Sequence, residues 1–109
     1  MPRPRETEIL TSKLPRVLKA MSNLRRMQIL SELADGKERS VSELEKVMPE
    51  LSQSALSQHL ARLRKSDLVS TRRESQTIYY SINDADIKRI LRLLDHIYPQ
   101  DPANRGHFH

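Results

Sequence analysis

The residues best placed to do chemistry lie in Leu51-Ser-Gln-Ser-Ala-Leu-Ser-Gln-His-Leu-Ala-Arg-Leu-Arg-Lys65. Read as a helix, this stretch sets Leu56, Leu60 and Leu63 on one side at i, i+4 and i+7. Ser54, Gln58, Ala61, Arg62 and Lys65 then fall on the opposite side, with Ser57 on its flank. An ordinary solvated face is mostly Glu and Lys, whereas this one offers amides and hydroxyls with basic residues further along. Gln pairs bidentately with adenine, Ser reaches a base edge or a phosphate, and Arg and Lys neutralise phosphates. The chemistry implied is recognition of double-stranded DNA by Gln53, Ser54, Ser57, Gln58, His59, Arg62 and Lys65. Ser54, Ser57 and Gln58, early in the helix, are the first choices for base contact. His59 borders the apolar stripe, which suits either a phosphate contact or a half-buried packing role. The plainer alternative is a solvated face in some other helical domain.

The flanking elements position this helix. Residues 1–11 are rich in Pro and charge and read as a flexible arm. A first helix is expected from about Ser12 to Met21, with Leu14, Val17, Leu18 and Met21 as its stripe and Pro15 in its first turn. A second runs from about Leu24 to Ala34, with Leu24, Met27, Leu30 (or Ile29) and Leu33 inward, and stops at Asp35-Gly36. Ser40 and Glu43 have the S-x-x-E spacing of a capping box. They open a third helix with Val41, Leu44, Val47 and Met48 buried, and Pro49 ends it. Ser52 can then cap the Gln53–Lys65 helix. Two short helices joined by a tight turn, the second polar and basic outside, make a helix-turn-helix.

After Ser66-Asp67 the period changes to two. Leu68–Arg73 and Thr77–Ile82 alternate and are rich in β-branched and aromatic residues. Glu74-Ser75-Gln76 joins them without the glycine usual in such turns, giving a β-hairpin. Arg72, Arg73, Gln76 and Thr77 on it would contact phosphates or probe the minor groove; charge protecting an edge hairpin is the alternative. A last helix, about Asp84 to Tyr98, carries Ile87, Ile90, Leu91, Leu94 and Ile97 on one face. The expected fold is mainly α with a β-hairpin wing, in the order α-α-α-α-β-β-α: a winged helix-turn-helix. Residues 12–98 form the domain and 99–109 a flexible tail. The terminal helices expose apolar faces, and a second copy of the chain is their natural cover, through Leu14, Val17, Leu18, Ile87, Ile90, Leu91 and Leu94.

Composition narrows the function. The 109 residues carry 19 Lys and Arg against 14 acidic side chains, a net charge of +5, which favours an anionic partner. The absence of cysteine excludes disulfides, thiolate metal sites and thiol-based sensing. No apolar run approaches a membrane span and no signal-peptide pattern opens the chain, so a soluble cytoplasmic protein is expected. No nucleophile elbow or Gly-rich phosphate loop occurs, Gly36 and Gly106 being the only glycines, so an enzyme is not expected.

Three stretches resemble the ArsR/SmtB family of bacterial dimeric repressors over roughly residues 14 to 98. They are Leu18-Lys-Ala-Met-Ser-Asn-Leu-Arg-Arg-Met-Gln-Ile-Leu30, Leu51-Ser-Gln-Ser-Ala-Leu-Ser-Gln-His-Leu60 and Leu63-Arg-Lys-Ser-Asp-Leu-Val69, with the wing ending Ile78-Tyr-Tyr80. The second is the specific signature, and its wording is nearest the HlyU/BigR-like branch. The resemblance implies a homodimer through the first and last helices, repression of a nearby operon, and release of DNA on sensing an inducer. It also makes Arg25 a structural or phosphate contact. Members of that branch often sense with two cysteines; the nearest positions here are Ser31 and about Pro99. A thiolate metal site would need cysteine near Val41. A site on the last helix would draw on Asp84, Asp86 and His96, but Ile97 and Gln100 stand where later ligands should be.

The resulting expectation is a DNA-binding transcriptional regulator, read as a repressor, that binds an inverted-repeat operator as a homodimer. No cofactor or metal is assigned; without cysteine the chain either answers to an unidentified small molecule in the dimer groove or acts as a constitutive competitor of a sensing relative. Two rivals are a metal-sensing repressor using His96, the carboxylates Asp84, Asp86 and Asp95 and the tail residues His107 and His109, and a winged-helix interaction module that binds no DNA.

Overall fold

The computed structural model describes residues 3–97. Helical structure begins earlier than the sequence suggests, at Pro4. Helix α1 (Pro4–Glu8) passes into a π-helical turn, Ile9–Lys13, and then into α2 (Leu14–Met21). Proline explains the turn. Pro15 has no N–H to offer the carbonyl of Thr11, and its ring would crowd that carbonyl in a regular α-helix. Widening the ladder, so that the Leu14 N–H donates to the Ile9 carbonyl, relieves the conflict. Pro15 therefore lies in the first turn of α2, as expected, directly after the widened turn.

A side-chain cluster holds the early residues in place. Lys13 Nζ lies 2.8 Å from Asp86 Oδ2 and 3.1 Å from Asp84 Oδ2, and Arg5 pairs with Asp86. Residues 4–11, expected as an arm outside the domain, are thus helical and tied to the last helix.

Asn23 caps α3 (Leu24–Leu33) by accepting from the N–H groups of Arg25 and Arg26. Beyond its end the turn closes at Gly36, whose N–H donates to the Leu33 carbonyl at 3.1 Å and whose φ of +81° favours glycine. Strand β1 (Arg39–Ser40) leads directly into α4 (Val41–Val47) through the expected capping box. The Ser40 hydroxyl accepts the Glu43 N–H at 3.2 Å, and the Ser40 N–H donates to Glu43 at 3.0 Å. Ser52 caps α5 (Gln53–Lys65) as expected. At its end Asp67 takes a φ of +59°, and the Leu68 N–H returns to the Leu63 carbonyl at 3.0 Å. This Schellman closure turns the chain towards the wing.

The wing pairs β2 (Ser70–Glu74) with β3 (Thr77–Ser81) antiparallel, closed by Ser75 and Gln76 with Ser75 at a φ of +58°. Strand β1 adds to its other side, giving the order β1-β3-β2 with Ser40 opposite Tyr79. Two residues are too few to show a period, so β1 has no signature in the sequence. Helix α6 (Ala85–Ile97) is capped by Asp84, which accepts from the N–H groups of Asp86 and Ile87.

Helices α2 to α6 and the start of the wing bury one core, including Val17, Ile29, Leu30, Leu33, Leu44, Leu56, Leu60, Leu63, Leu68 and Ile82. Leu24 and Val47, expected inward, are each 46% exposed. On α3 the buried arc is Gln28, Ile29, Leu30 and Leu33, with Met27 half-buried at its edge. The architecture is the expected winged helix-turn-helix, with β1 as its addition.

Candidate nucleic-acid interface

Helix α5 divides sharply into two faces. Leu56, Leu60 and Leu63 are at most 1% exposed, so the helix is anchored along its length. Gln53, Ser54, Ser57, Gln58, Arg62 and Lys65 are all exposed. Among the described residues no side-chain hydrogen bond or ion pair engages any of the six. Amides and hydroxyls left free on a rigid helix keep their full donor and acceptor capacity for a ligand's edge. Basic side chains at the C-terminal end add sequence-independent attraction for phosphate.

His59 sits at the border of these faces, half-buried. Burial first, then the charges of Arg26, Arg62 and Arg25, hold its pKa below the usual histidine value, so it is neutral at pH 7. Arg25 takes the structural half of its two expected roles: it bridges to Glu50 at 2.7 Å and donates to Gln28 at 3.2 Å, tying α3 to the turn before α5.

The wing residues differ from one another. Arg72 is engaged on three sides, with Glu38 at 2.7 Å, Glu74 at 3.1 Å and the ring of Tyr79 4.9 Å from its guanidinium carbon. These contacts orient it and favour its charged form, Glu38 most of all. Arg73 makes only a 3.2 Å bond to the Ser75 carbonyl and stays exposed, as do Gln76 and Thr77 at the tip. Arg73 is therefore the more available of the two arginines. The Glu38–Arg72 tie and the Tyr79 stacking join residues far apart in the chain and have no signature in its periodicity.

The expected dimer residues also separate. Val17, Ile87 and Leu91 are buried in the chain's own core, at 0%, 1% and 6% exposure, so they cannot themselves be the surface a partner covers. Leu14, Ile90 and Leu94 are partly buried, and Leu18 is 51% exposed. Leu10 and Leu93, absent from the expected set, are 58% and 59% exposed. The accessible apolar surface of the first and last helices thus includes Leu10, Leu18 and Leu93.

For a metal ion the described residues fit poorly. Asp84 and Asp86 already hold the ammonium of Lys13, which keeps the Asp86 carboxyl below its ordinary pKa. His96 lies ten residues further along α6 and exposed, about 15 Å from Asp86 at 1.5 Å per residue. Among the described residues no three His, Asp or Glu side chains come together as a cluster that could hold a metal. Pro99, Gln100, His107 and His109 lie outside the described residues, as does the side chain of Ile97. Ser31 lines a cleft with Met21, Met27, Ala34, Leu91, Leu94 and Asp95, apolar apart from one hydroxyl and one carboxylate.

Residues 23–71, spanning α3 to the start of the wing, match the family described as bacterial regulatory protein, arsR family. The transcriptional activator HlyU of Vibrio cholerae is 50% identical over 95 residues, covering 87% of this chain and 86% of that protein. Its structure superposes with a TM-score of 0.75 at 49% identity, over 85% of this chain and 99% of the other. The transcriptional repressor BigR of Xylella fastidiosa superposes with a TM-score of 0.74 at 30% identity, over 92% and 100%. A homodimeric winged helix-turn-helix DNA-binding domain from Mycobacterium bovis superposes with a TM-score of 0.70 at 31% identity, over 99% and 97%.

Proposed function

This chain belongs to the arsR family of bacterial transcriptional regulators, whose winged helix binds DNA, and from that premise we propose that it is a homodimeric repressor of an inverted-repeat operator. The observation that carries this reading is the free polar face of α5, opposite a fully buried one. Ser54, Ser57 and Gln58 read base edges in the major groove, and Gln53, His59, Arg62 and Lys65 bracket the adjoining phosphates. Arg73, Gln76 and Thr77 extend the contact from the wing, with Arg72 holding the wing against Glu38.

Dimerisation through the first and last helices covers Leu10, Leu18 and Leu93 and sets the two α5 helices one helical turn of DNA apart, about 34–36 Å. The division 12–98 then extends back to residue 4 as a single DNA-binding and dimerisation unit. Repression is favoured over activation because a dimer seated across two major grooves occludes a promoter without further parts. HlyU is called an activator and BigR a repressor, so the sign of regulation follows where the operator lies. Without cysteine the chain cannot sense through a thiol of its own, and the cleft beside Ser31 is an apolar seat for a small-molecule inducer. The metal-sensing alternative is weakened by the Lys13 ammonium already placed between Asp84 and Asp86.

Selection of bound duplexes from a random pool tests this reading. An inverted repeat with half-site centres about 10 base pairs apart is the expected outcome. Recovery of a direct repeat, or of no consensus, would refute it.

A further inference from the structure

Where α3 meets α5, cationic side chains gather with few carboxylates to match. Arg25 and Arg26 come from the first turn of α3; His59 and Arg62 are neighbours at i and i+3 on α5. Glu50 is the carboxylate on the group, and Arg25 already engages it. Arg26 Nε and His59 Nδ1 are buried and have no hydrogen-bond partner among the described residues. Such groups are rare in native structures and call for an explanation. A neutral histidine held among three arginines is an arrangement that an arriving anion improves: it offsets the like charges and gives the imidazolium a counter-ion.

We propose that this α3–α5 seam seats a backbone phosphate of the operator duplex, and that His59 takes up a proton as the phosphate arrives. The proton comes from the buffer and no covalent bond changes. The proposal deepens the DNA-binding reading above and rests on it. Arg62 joins the seam to the exposed face that carries Gln58 and Lys65, so a phosphate held here flanks the groove that face enters. Arg25, fixed by Glu50 and Gln28, is a positioning residue that holds its end of α3 against the α5 turn.

The direction of the pH dependence follows from the two states. His59 titrates below its ordinary value in the free protein and higher once a phosphate is near. Binding therefore strengthens as pH falls through the window between these values, and is flat above and below it. Within the window the gain is at most about tenfold per pH unit for each protomer.

The test is fluorescence anisotropy of the full chain on a duplex recovered by the selection above, from pH 7.5 to 5.5, with wild type and His59→Gln compared. It is paired with calorimetry of the wild type at pH 6.5 in two buffers of different ionisation enthalpy. Wild-type affinity rising more steeply than that of His59→Gln, with net proton uptake, is the expected result. Equal pH slopes, or no proton uptake, would overturn the phosphate seat while leaving DNA binding intact. If His59→Gln does not fold, the buffer comparison decides alone. Proton uptake driven equally by millimolar inorganic phosphate would make the seam a free-anion site and overturn its assignment to duplex. No binding of wild type to any duplex would instead bring down the DNA-binding reading itself.

Discussion

Replacing Ser40 by alanine tests how the wing and the helix-turn-helix are joined. Ser40 is the last residue of β1, stands opposite Tyr79 of the wing and is the N-cap of α4. Its hydroxyl accepts the Glu43 N–H at 3.2 Å, and at 8% exposure water replaces that acceptor poorly. A lost N-cap costs about 1 kcal/mol on average and up to about 2 in poorly hydrated sites, so Ser40→Ala should cost about 1–2 kcal/mol. For a domain near 100 residues each kcal/mol lowers the melting midpoint by roughly 4–8 °C. Ser52→Ala provides the internal control. Ser52 caps α5 through the same kind of bond, to the Ala55 N–H at 3.1 Å, but it is exposed, so its loss belongs at the low end, about 0.5–1 kcal/mol. Melts by circular dichroism at one protein concentration, needed because a dimer's midpoint depends on it, should rank wild type above Ser52→Ala above Ser40→Ala. Ser40→Thr, which caps and suits a strand, should recover most of the loss. The Glu43 carboxyl is held below its ordinary pKa by the Ser40 N–H and then by its hydroxyl. Its contribution is therefore complete above about pH 4.5 and fades as pH falls through the depressed value. A Ser40→Ala penalty equal to or smaller than that of Ser52→Ala, or no recovery with Thr, would show that Ser40 does not couple the wing to α4 in this way.

Three further outcomes are expected. Gln58→Ala should relax discrimination at one base position by about 1–3 kcal/mol, while Arg62→Ala should weaken specific and random duplex alike and lower the salt slope by about 1; equal losses on both duplexes for both variants would contradict that division. Leu18→Glu combined with Leu93→Glu should convert the dimer to monomer in sedimentation equilibrium and abolish operator binding, and a persisting dimer would move the interface elsewhere. Arg39 donates to Asp35 and, with the Lys37 N–H, holds its carboxyl down to about 2. That stability is present above the ordinary aspartate value and lost as pH falls from about 4 to 2. Arg39→Gln should therefore be less stable than wild type at neutral pH and converge with it near pH 2, whereas a constant gap in acid titration would deny the linkage.

Much of this was legible in the chain because it is local. The α5 stripe, the Ser40–Glu43 box, the Ser52 cap, the Gly36 stop and the wing's alternation all lie within a few residues of the groups they organise. What escaped was long-range or set by conflict between local rules. Lys13 meets Asp84 and Asp86 across 71 and 73 residues, and no spacing announces that pairing. It recruits residues 4–11 into the helix that Pro15 seemed to delimit. A helical period fixes the width of an apolar arc but not which edge the neighbours cover, so it assigns Leu24 and Val47 inward. Their 46% exposure leaves the buried arc to Gln28, Ile29 and Leu44. The same limit applied to the dimer residues, where periodicity could not separate Val17 and Ile87, spent on the chain's own core, from Leu10, Leu18 and Leu93, which remain free.

Regulation by this chain depends on specific recognition of DNA by the free face of α5. Fluorescence anisotropy of the protein on duplex from upstream of its own gene, titrated against salt beside a random duplex, tests it most directly. Nanomolar binding to the upstream duplex that weakens steeply with salt and exceeds binding to random sequence by about 10³ or more is expected. Binding to neither duplex at low salt would contradict it and leave the fold as an interaction module.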